Sequence, residues 1–289
     1  MNEFSPCLFS IVIPTCNRRN DLLNCLECLT PYFTSRSHDW LPFDLEVIVT
    51  DDGHDSVLSD LLLLSYPWCN YQKGPRRGPA ANRNHGARVA SGAWILFTDD
   101  DCLPQSGWVE AFASAVDDCH VLEGKTMAVG VRSRVDMESP INENGGHLWS
   151  CNFAIRRDIF INLGGFNENF PAPAMEDMEF YLRIKKVPLI SKFIPNAVVL
   201  HPWRKKRGLK FVKEHARSVA TFVRLHPEQA SRYSFASQLI NSLRSIKNLL
   251  SDLTSSRQFS GSFRRLVLEL SSYYYIWLYV RELRSCSKI

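Results

Sequence analysis

The sequence predicts an α/β protein in which helices flank a mostly parallel, Rossmann-like central sheet, followed by a helical C-terminal extension. Short β-rich runs alternate with helical patterns over the first hundred residues, and strands joined by crossover helices favour a parallel sheet. Polar residues follow the predicted strands, at the sheet edge where open α/β sheets bind ligands. From Lys210 onward, apolar residues recur at helical spacing, which predicts the extension.

The first half of the chain is punctuated by apolar runs and turn residues. Gly78 and Pro79 open a helix, and Ser91 and Gly92 turn the chain into the next strand. The predicted strands are residues 9–13, 45–49 and 93–97, and the predicted helices are residues 21–29, a segment from about residue 57, and residues 78–90.

The second half continues with shorter elements. Gly164 and Gly165 are typical of a helix stop. The pattern predicts strands at 125–135 and 149–155, a helix ending at 163, a helix after 177, an extended stretch over 188–201, and later helices that include 263–283. We therefore expect a catalytic domain at residues 1–208 and a basic helical region at residues 209–289.

Composition indicates a globular chain with reduced thiols. The 289 residues are 45% apolar, enough for a sizeable core. The nine cysteines include a single C-x-x-C, Cys25 and Cys28, with no second pair to complete a zinc site. The N-terminus has no basic region ahead of a long apolar one, so we expect no secretory signal and a cytoplasmic protein.

Charge is divided unevenly along the chain. Residues 1–200 carry 17 Lys and Arg against 25 Asp and Glu, whereas residues 201–289 carry 17 against 5. Such a basic tail can attract a membrane surface, nucleic acid or an anionic acceptor. Because no RNA-binding motif or zinc finger accompanies it, we expect no nucleic acid partner.

The densest apolar run of the tail, residues 273–280, is too short to span a bilayer. Two interpretations stay open for the helix that contains it. It can pack on the catalytic domain or on another subunit of a homo-oligomer. Alternatively, because arginines lie on both sides of it, it can be an interfacial helix that makes peripheral contact with the inner face of the cytoplasmic membrane.

Three consecutive carboxylates, Asp99, Asp100 and Asp101, end the apolar run at 93–97. A buried strand does not carry three such groups without a counter-charge. Carboxylates at a strand end suit Mg²⁺ or Mn²⁺ held partly by substrate phosphates, since these ions take oxygen ligands and keep open positions. A polar turn that caps the next helix is the alternative.

The order of motifs around these carboxylates resembles that of family 2 glycosyltransferases, which have the GT-A nucleotide-diphospho-sugar transferase fold. The resemblance covers residues 9–201. The motifs are Pro14-Thr15 after the first strand, Asp51-Asp52 after the second, Arg83 in an Arg-Asn helix, the Asp99–Asp101 triad, Gly164-Gly165-Phe166, and Glu176-Asp177. Asn82 departs from the alanine that is more usual in that helix. The resemblance implies inverting sugar transfer from a nucleotide-diphospho-sugar, with UDP-sugars the first choice.

The resemblance also implies roles for the donor site. One of the paired carboxylates after the second strand would accept the imide N–H of a uracil, although an ordinary D-G turn is the alternative there. An arginine would pair with the diphosphate. The residues expected to bind the nucleotide and its phosphates are Pro14, Thr15, Asn17, Arg18, Asp51, Asp52, Arg83, Asp99 and Asp100. Arg76 and Arg77 are further candidates to pair with the diphosphate, but a solvated turn is an equally good interpretation of these two residues.

Metal ligation and catalysis follow from the same resemblance. Asp99, Asp101 and His201 are the expected ligands of Mn²⁺ or Mg²⁺, with a structural histidine as the alternative for His201. Asp177 is the expected base that takes the proton of the acceptor hydroxyl, and Glu176 orients it. Two acids in the first turn of a helix would also be favoured by its dipole, and nearby Glu179 keeps the identity of the base open.

The acceptor is expected to be a glycan or a lipid-linked molecule, and the remaining motif residues are expected to contact it or the donor sugar. Gly164, Gly165 and Phe166 would line the sugars, because glycine allows close backbone approach. Trp149 offers a flat face for a pyranose ring, and is equally suited to the core.

Three other functions compete with transfer. A sugar-nucleotide-binding scaffold of the same fold would keep the site without turnover. A nucleotidyltransferase usually has a glycine-rich loop after its first strand, whereas this chain has Pro14-Thr15-Cys16-Asn17-Arg18. NAD-dependent chemistry is disfavoured because no G-x-G-x-x-G follows that strand.

Overall fold

The computed structural model describes residues 9–34, 44–55, 57–117, 119–254 and 261–286. The residues before Phe9, on which the expectation of no signal rests, lie outside these ranges. The chain forms two compact units, each described below by itself. The first comprises Met1–Val129, Pro140–Glu168 and Glu176–Pro202, and the second comprises Gly130–Ser139, Asn169–Met175 and Trp203–Ile289. The predicted domain boundary at residue 208 stays a prediction.

A mixed sheet organises the first unit. Within the described residues its eight strands have the order β3-β2-β1-β4-β8-β6-β9-β5. The strands are β1 (Phe9–Thr15), β2 (Leu45–Asp51), β3 (Cys69–Lys73), β4 (Trp94–Thr98), β5 (Leu103–Pro104), β6 (Val121–Ala128), β8 (Asn152–Arg156) and β9 (Ser191–His201). Strands β1 to β4 pair in parallel, and β8 runs antiparallel to both β4 and β6.

Helices cover both faces of this sheet. They are α1 (Arg19–Leu29), α2 (Pro31–Thr34), α3 (Leu58–Ser65), α4 (Pro79–Val89), α5 (Trp108–Ala113), α6 (Arg157–Asn162) and α7 (Glu176–Lys185). Every residue of β1 is buried, as expected for a parallel strand covered on both sides. Its alternate side chains enter two different clusters: Ile11 and Ile13 pack in one, and Val12 in the other. The predicted α/β class is confirmed.

Five phenylalanines form the centre of the second cluster: Phe97, Phe153, Phe160, Phe166 and Phe180. The Phe160 ring lies 5.1 to 5.5 Å from the rings of three of the others, centroid to centroid. Because these rings come from β4, β8, α6, α7 and the segment after α6, their packing ties the sheet to the helices on one face.

The structure differs from the sequence prediction at several elements. β6 begins at Val121 and ends at Ala128, before Gly130, which has a φ of 61°. The next long strand begins at Asn152 rather than at Trp149. The edge strand β3, Cys69–Lys73, was not predicted, because its residues are polar and partly exposed and form no apolar run.

The second unit is mostly helical. It contains α8 (Leu209–Leu225), a 3₁₀ helix (Pro227–Tyr233), α9 (Phe235–Thr254), α10 (Ser262–Cys286) and the short antiparallel pair β7 (Met137–Glu138) and β10 (Arg204–Lys205). Buried Asp136 pairs with Arg134 and with Arg264 of α10, at 2.8 and 3.0 Å. None of the described helices combines the length and the apolar character needed to cross a bilayer.

Replacing Phe160 by alanine should lower the free energy of unfolding by about 3–5 kcal/mol, because the change opens a cavity among close-packed rings. Urea denaturation followed by circular dichroism measures the loss. The matched control is Phe263→Ala, whose ring is 71% exposed, and which should change stability by less than about 0.5 kcal/mol. Equal losses in the two variants would contradict the packing described.

Candidate functional site

The structure brings the ends of β1, β2 and β4 together in one crevice. Pro14 and Thr15 end β1, Asp51 ends β2 opposite Thr15, and Asp99–Asp101 follow β4. The Thr15 hydroxyl donates to Asp100 Oδ2 at 2.7 Å. Sequence-distant polar groups therefore meet because the three strands are parallel neighbours.

The two carboxylates after β2 are both held by backbone amides. Asp51 Oδ1 accepts the N–H of Gly53 at 2.7 Å, which is the D-G turn left open by the sequence. Asp52 accepts the N–H groups of Arg76 and Gly78 at 2.8 and 3.0 Å. Asp52 thus shapes the loop that leads into α4, and the predicted contact with the nucleotide base stays a prediction.

The loop after β1 supplies a cation to the acidic triad. Asn17 turns the chain with a φ of 54°, and its Oδ1 accepts the N–H of His54 at 3.0 Å. The next residue, Arg18, places Nη2 2.6 Å from Asp100 Oδ1 and Nη1 3.5 Å from Asp101 Oδ2. The Arg18 side chain is 37% exposed, so it can also meet an anion that enters the crevice.

A second cation, Arg83 of α4, is almost fully enclosed. Its Nη2 lies 2.6 Å from Asp99 Oδ1, and its Nη1 lies 3.5 Å from Glu176 Oε1. Although burial raises the pKa of Asp99, the adjacent Arg83 outweighs this effect and keeps that pKa below its usual range. Asp99 is therefore an ionised partner of Arg83.

Two of the three predicted metal ligands lie together. Ligand atoms of Asp101, Cys102 and His201 are all within 4.8 Å of one another, and His201 Nε2 lies 3.5 Å from Asp101 Oδ2. The third predicted ligand, Asp99, is engaged by Arg83 instead. Burial raises the pKa of the Cys102 thiol well above its ordinary value, and a thiol suits the hard ions Mg²⁺ and Mn²⁺ less well than carboxylate oxygens do.

The His201 ring has the tautomer and the neutral charge that a metal ligand would need. Its Nδ1 lies 2.9 Å from the carbonyl oxygen of Pro202, and since a carbonyl only accepts, Nδ1 carries the proton. Burial lowers the pKa of His201, so the ring is neutral near pH 7. The Nε2 lone pair then faces Asp101, an arrangement typical of metal-binding histidines.

Asp177 and Glu176 open α7 beside Arg83. Asp177 Oδ2 accepts the backbone N–H and the hydroxyl of Ser150, both at 3.2 Å, and its Oδ1 accepts no hydrogen bond from the described residues. Burial, and then the charge of Asp177, raise the pKa of Glu176 to about 7. Burial raises the pKa of Asp177 as well, against the opposing effect of Arg83.

The third acid of this helix has another partner. Both oxygens of Glu179 accept from the Nε of Arg183, at 2.9 and 3.0 Å, and the pair is one helical turn apart. This engagement favours Asp177 over Glu179 as the carboxylate available for chemistry.

The Gly164-Gly165-Phe166 motif ends α6. The two glycines have φ values of 79° and 66°, a left-handed conformation that favours glycine. Asn84 of α4 fixes the motif, since its side chain both accepts from the N–H and donates to the carbonyl of Phe166, each at 2.8 Å. Phe166 as a whole is only 2% exposed, its ring lies in the aromatic cluster and its backbone groups are bonded to Asn84, so the structure does not place it against a sugar and its predicted contact stays a prediction.

Trp149 is half-buried beside Ser150, the residue that holds Asp177. Its indole stacks on the exposed His147 ring at 5.3 Å and an angle of 11°, and it also packs against the first core cluster. Both interpretations given by the sequence, sugar platform and core residue, are compatible with this position.

Glu123 organises the loop that leads to Trp149, and sequence reasoning missed it. It is buried in β6 and accepts the N–H groups of Gly146, His147 and Leu148 at 2.7 to 2.8 Å, as well as the side-chain amide of Asn142 at 2.7 Å. The available signal was a lone acid between apolar Val121-Leu122 and Gly124.

The contacts of Asn82 give a reason for asparagine at a position where the family more usually has alanine. Its side-chain amide donates to the carbonyl oxygens of Thr50 and Thr15, at 2.7 and 3.3 Å. The buried side chain therefore ties the tips of β1 and β2 together directly beneath α4, a role that alanine cannot take.

Comparison with known proteins agrees with this architecture. Residues 10–164 match the family model described as glycosyl transferase family 2, and residues 146–216 match a model described as glycosyltransferase like family 2. An uncharacterized glycosyltransferase of Haemophilus influenzae is 24% identical over 203 residues, which are 64% of this chain and 65% of that protein. The chain spans 65% or less of the length of the curated relatives it matches.

Solved glycosyltransferases share the fold. The mannosyltransferase PcManGT from Pyrobaculum calidifontis, in complex with GDP-Man and Mn²⁺, has a TM-score of 0.54 at 14% identity, covering 99% of this chain and 76% of its own. S. aureus TarS 1-349, in complex with UDP-GlcNAc, has a TM-score of 0.53 at 15% identity, covering 96% and 91%. The predicted GT-A fold is confirmed.

Glu123→Gln should destabilise the protein by about 1–3 kcal/mol. The amide nitrogen of glutamine is a donor and would take the place of the oxygen that accepts the Gly146 N–H, so this N–H would lose its hydrogen bond. Thermal and urea unfolding measure the loss. Glu143→Gln is the matched control, because Glu143 is exposed in the same loop. If both substitutions lower stability equally, the hydrogen bonds to Glu123 do not hold the loop.

Proposed function

The chain belongs to glycosyl transferase family 2, and from this premise we propose that it is an inverting, metal-dependent glycosyltransferase acting on a nucleotide-diphospho-sugar. The observation that carries the proposal is the crevice at the strand tips. There the neutral His201 imidazole faces Asp101, and Asp177 keeps an oxygen without a hydrogen bond from the described residues. A dication-binding pair and a carboxylate base are what such a transfer needs.

Asp101 and His201 are the residues that would hold the metal ion. A carboxylate together with an imidazole suits Mn²⁺ better than Mg²⁺, which prefers oxygen ligands alone. When bound, the ion supplies Lewis-acid stabilisation of the departing diphosphate. Arg18 adds a second positive charge, and its exposure makes it better suited to contact the phosphates than the enclosed Arg83.

Asp177 is proposed as the base. The acceptor hydroxyl oxygen attacks the anomeric carbon from the face opposite the nucleotide, its proton passes to Asp177 Oδ1, and the bond to the diphosphate breaks. The two hydrogen bonds from Ser150 fix the other carboxylate oxygen, so Oδ1 is held in one orientation. General-base assistance of this kind accelerates a reaction by about 10²–10⁴.

A UDP-sugar is the proposed donor, and the hydroxyl of a glycan or lipid-linked molecule is the proposed acceptor. Among the fold relatives, TarS is in complex with UDP-GlcNAc and the Pyrobaculum enzyme with GDP-Man, so both nucleotides belong in the test. A thermal-shift screen of UDP, GDP and their sugars, with and without Mn²⁺, names the donor, because a ligand selective for the folded state raises its apparent stability.

Asp177→Asn should lower kcat by about 10²–10⁴ while donor binding stays nearly unchanged, because the amide cannot take a proton. Asp101→Ala should instead abolish the Mn²⁺-dependent thermal shift given by the donor. Asp158→Asn is the matched control, because its exposed side chain lies on α6 and it should behave as wild type. Equal loss of donor affinity in the first two variants contradicts this division of roles.

The scaffold alternative makes a different prediction. A sugar-nucleotide-binding protein without turnover would show the Mn²⁺-dependent thermal shift, yet neither transfer nor hydrolyse any donor sugar. In that case Asp177→Asn would leave every measured property unchanged.

The value of kcat should fall on the acidic side, at a pH above the ordinary pKa range of an aspartate. Only ionised Asp177 can act as base, and burial raises its pKa, while the adjacent Glu176 has a pKa of about 7. Activity is therefore lost as pH falls through the shared ionisation of this pair. Glu176→Gln removes one negative charge, lowers the pKa of Asp177 and should move the acidic limb to lower pH. A limb that stays in place in this variant, or moves upward, excludes Asp177 as the titrating base.

A further inference from the structure

Helix α9 of the second unit packs with its polar side inward. Gln238 and Ser245 are buried. The Ser245 hydroxyl donates to Glu269 Oε2 of α10 at 2.6 Å, and the Gln238 amide donates to the carbonyl oxygen of Arg232 at 3.2 Å. A helix that covers a hydrophobic core has the opposite orientation.

The apolar side of α9 consequently faces outward. Its stripe repeats every three or four residues, and the side chains are between 42% and 60% exposed: Phe235, Leu239, Leu243, Ile246 and Leu250. The Phe235 ring contacts the Trp277 ring of α10 edge-to-face at 5.8 Å, and the Trp277 ring lies 6.3 Å from the ring of exposed Tyr274. Exposed Val267 lies two helical turns before Tyr274 on α10. We call these eight residues the α9–α10 apolar face.

Cations border this face. Arg244 and Lys247 are exposed on α9 next to the stripe, and the Arg281 guanidinium lies 5.4 Å from the Trp277 ring centroid. The nearby acid Asp252 is neutralised by Arg265 at 2.8 Å. An apolar stripe with Trp and Tyr, bordered by Lys and Arg, is typical of helices that lie in the headgroup region of a bilayer.

We propose that the α9–α10 apolar face binds the surface of a bilayer that contains anionic lipids. The charge of the segment supports this occupant, because residues 201–289 carry 17 basic against 5 acidic residues and an anionic leaflet attracts such a segment. A second copy of the chain is a poorer occupant, since two-fold pairing would bring each basic border near its own copy. The inference concerns the second unit and does not rest on sugar transfer.

Cosedimentation of the full chain with vesicles tests the proposal. The protein should sediment with vesicles of phosphatidylcholine and phosphatidylglycerol, more weakly with phosphatidylcholine alone, and less as salt rises, because screening weakens the attraction of charges. Failure to sediment with the anionic vesicles at low salt overturns the proposal.

Two matched pairs of variants locate the contact. The double variant Leu243→Glu with Leu250→Glu should abolish vesicle binding. Its control is Leu63→Glu with Leu64→Glu, which adds the same charge at exposed leucines of α3. The affinity of the control for vesicles should exceed that of the first variant by about tenfold or more. Arg244→Gln with Lys247→Gln should weaken binding by about fivefold per residue. Its control is Arg88→Gln with Lys192→Gln, which removes two exposed cations of the first unit. The control should bind vesicles more tightly than the Arg244→Gln and Lys247→Gln variant. Binding that falls equally within either pair contradicts the proposal.

Two further measurements separate the remaining outcomes. Circular dichroism and donor-induced thermal shifts should be the same in all variants, so loss of vesicle binding with the donor response intact concerns this face alone. Light scattering detects self-association. A dimer that Leu243→Glu with Leu250→Glu disrupts, together with no vesicle binding by the wild type, would assign the face to a second copy and overturn the proposal.

Discussion

Carboxylates buried at the tips of parallel strands are the constraint on which the rest of the site depends. Asp100 is fully buried, and an ionised carboxylate in that position costs several kcal/mol unless cations and hydrogen bonds compensate it. Thr15 and Arg18 supply this compensation from the end of β1, and Arg83 does the same for Asp99 from α4. The acidic run thus determines what the adjacent loops must bring to it.

Among the charged groups described above, carboxyl groups outnumber cations. Five carboxyl groups, Asp99, Asp100, Asp101, Glu176 and Asp177, lie around two guanidinium groups, Arg18 and Arg83, and a histidine whose pKa is lowered by burial. Burial, and then the charge of Asp177, raise the pKa of Glu176 within this group. For the transfer that we propose, this balance favours a dication that enters together with the diphosphate, so metal binding and donor binding are expected to be coupled.

The sequence predicted the parts of the site that follow from strands and their ends. Apolar runs locate β1, β2 and β4, and parallel order then brings their polar tips together. It could not predict β3, whose edge residues form no apolar run, although Tyr71 of that strand donates to Asp51 at 3.1 Å. Glu123 was also missed, and Asn84 was recognised only as part of the Arg-Asn motif without a role, because their partners include backbone groups of distant loops whose positions only the tertiary structure determines.

The orientation of α9 belongs to the same class of unpredictable features. Helical spacing shows that a helix has an apolar side, but it does not show whether that side faces inward. Here hydrogen bonds decide: Ser245 pairs with Glu269 and Gln238 with a carbonyl group, which removes the cost of burying polar atoms. The leucines and isoleucines on the other side stay in contact with water, which forgoes a stabilising free energy of about 25 cal/mol for each Å² of apolar surface left exposed. A helix oriented in this way is stable as part of the second unit, and it gains further free energy wherever a less polar surface can cover its outer side.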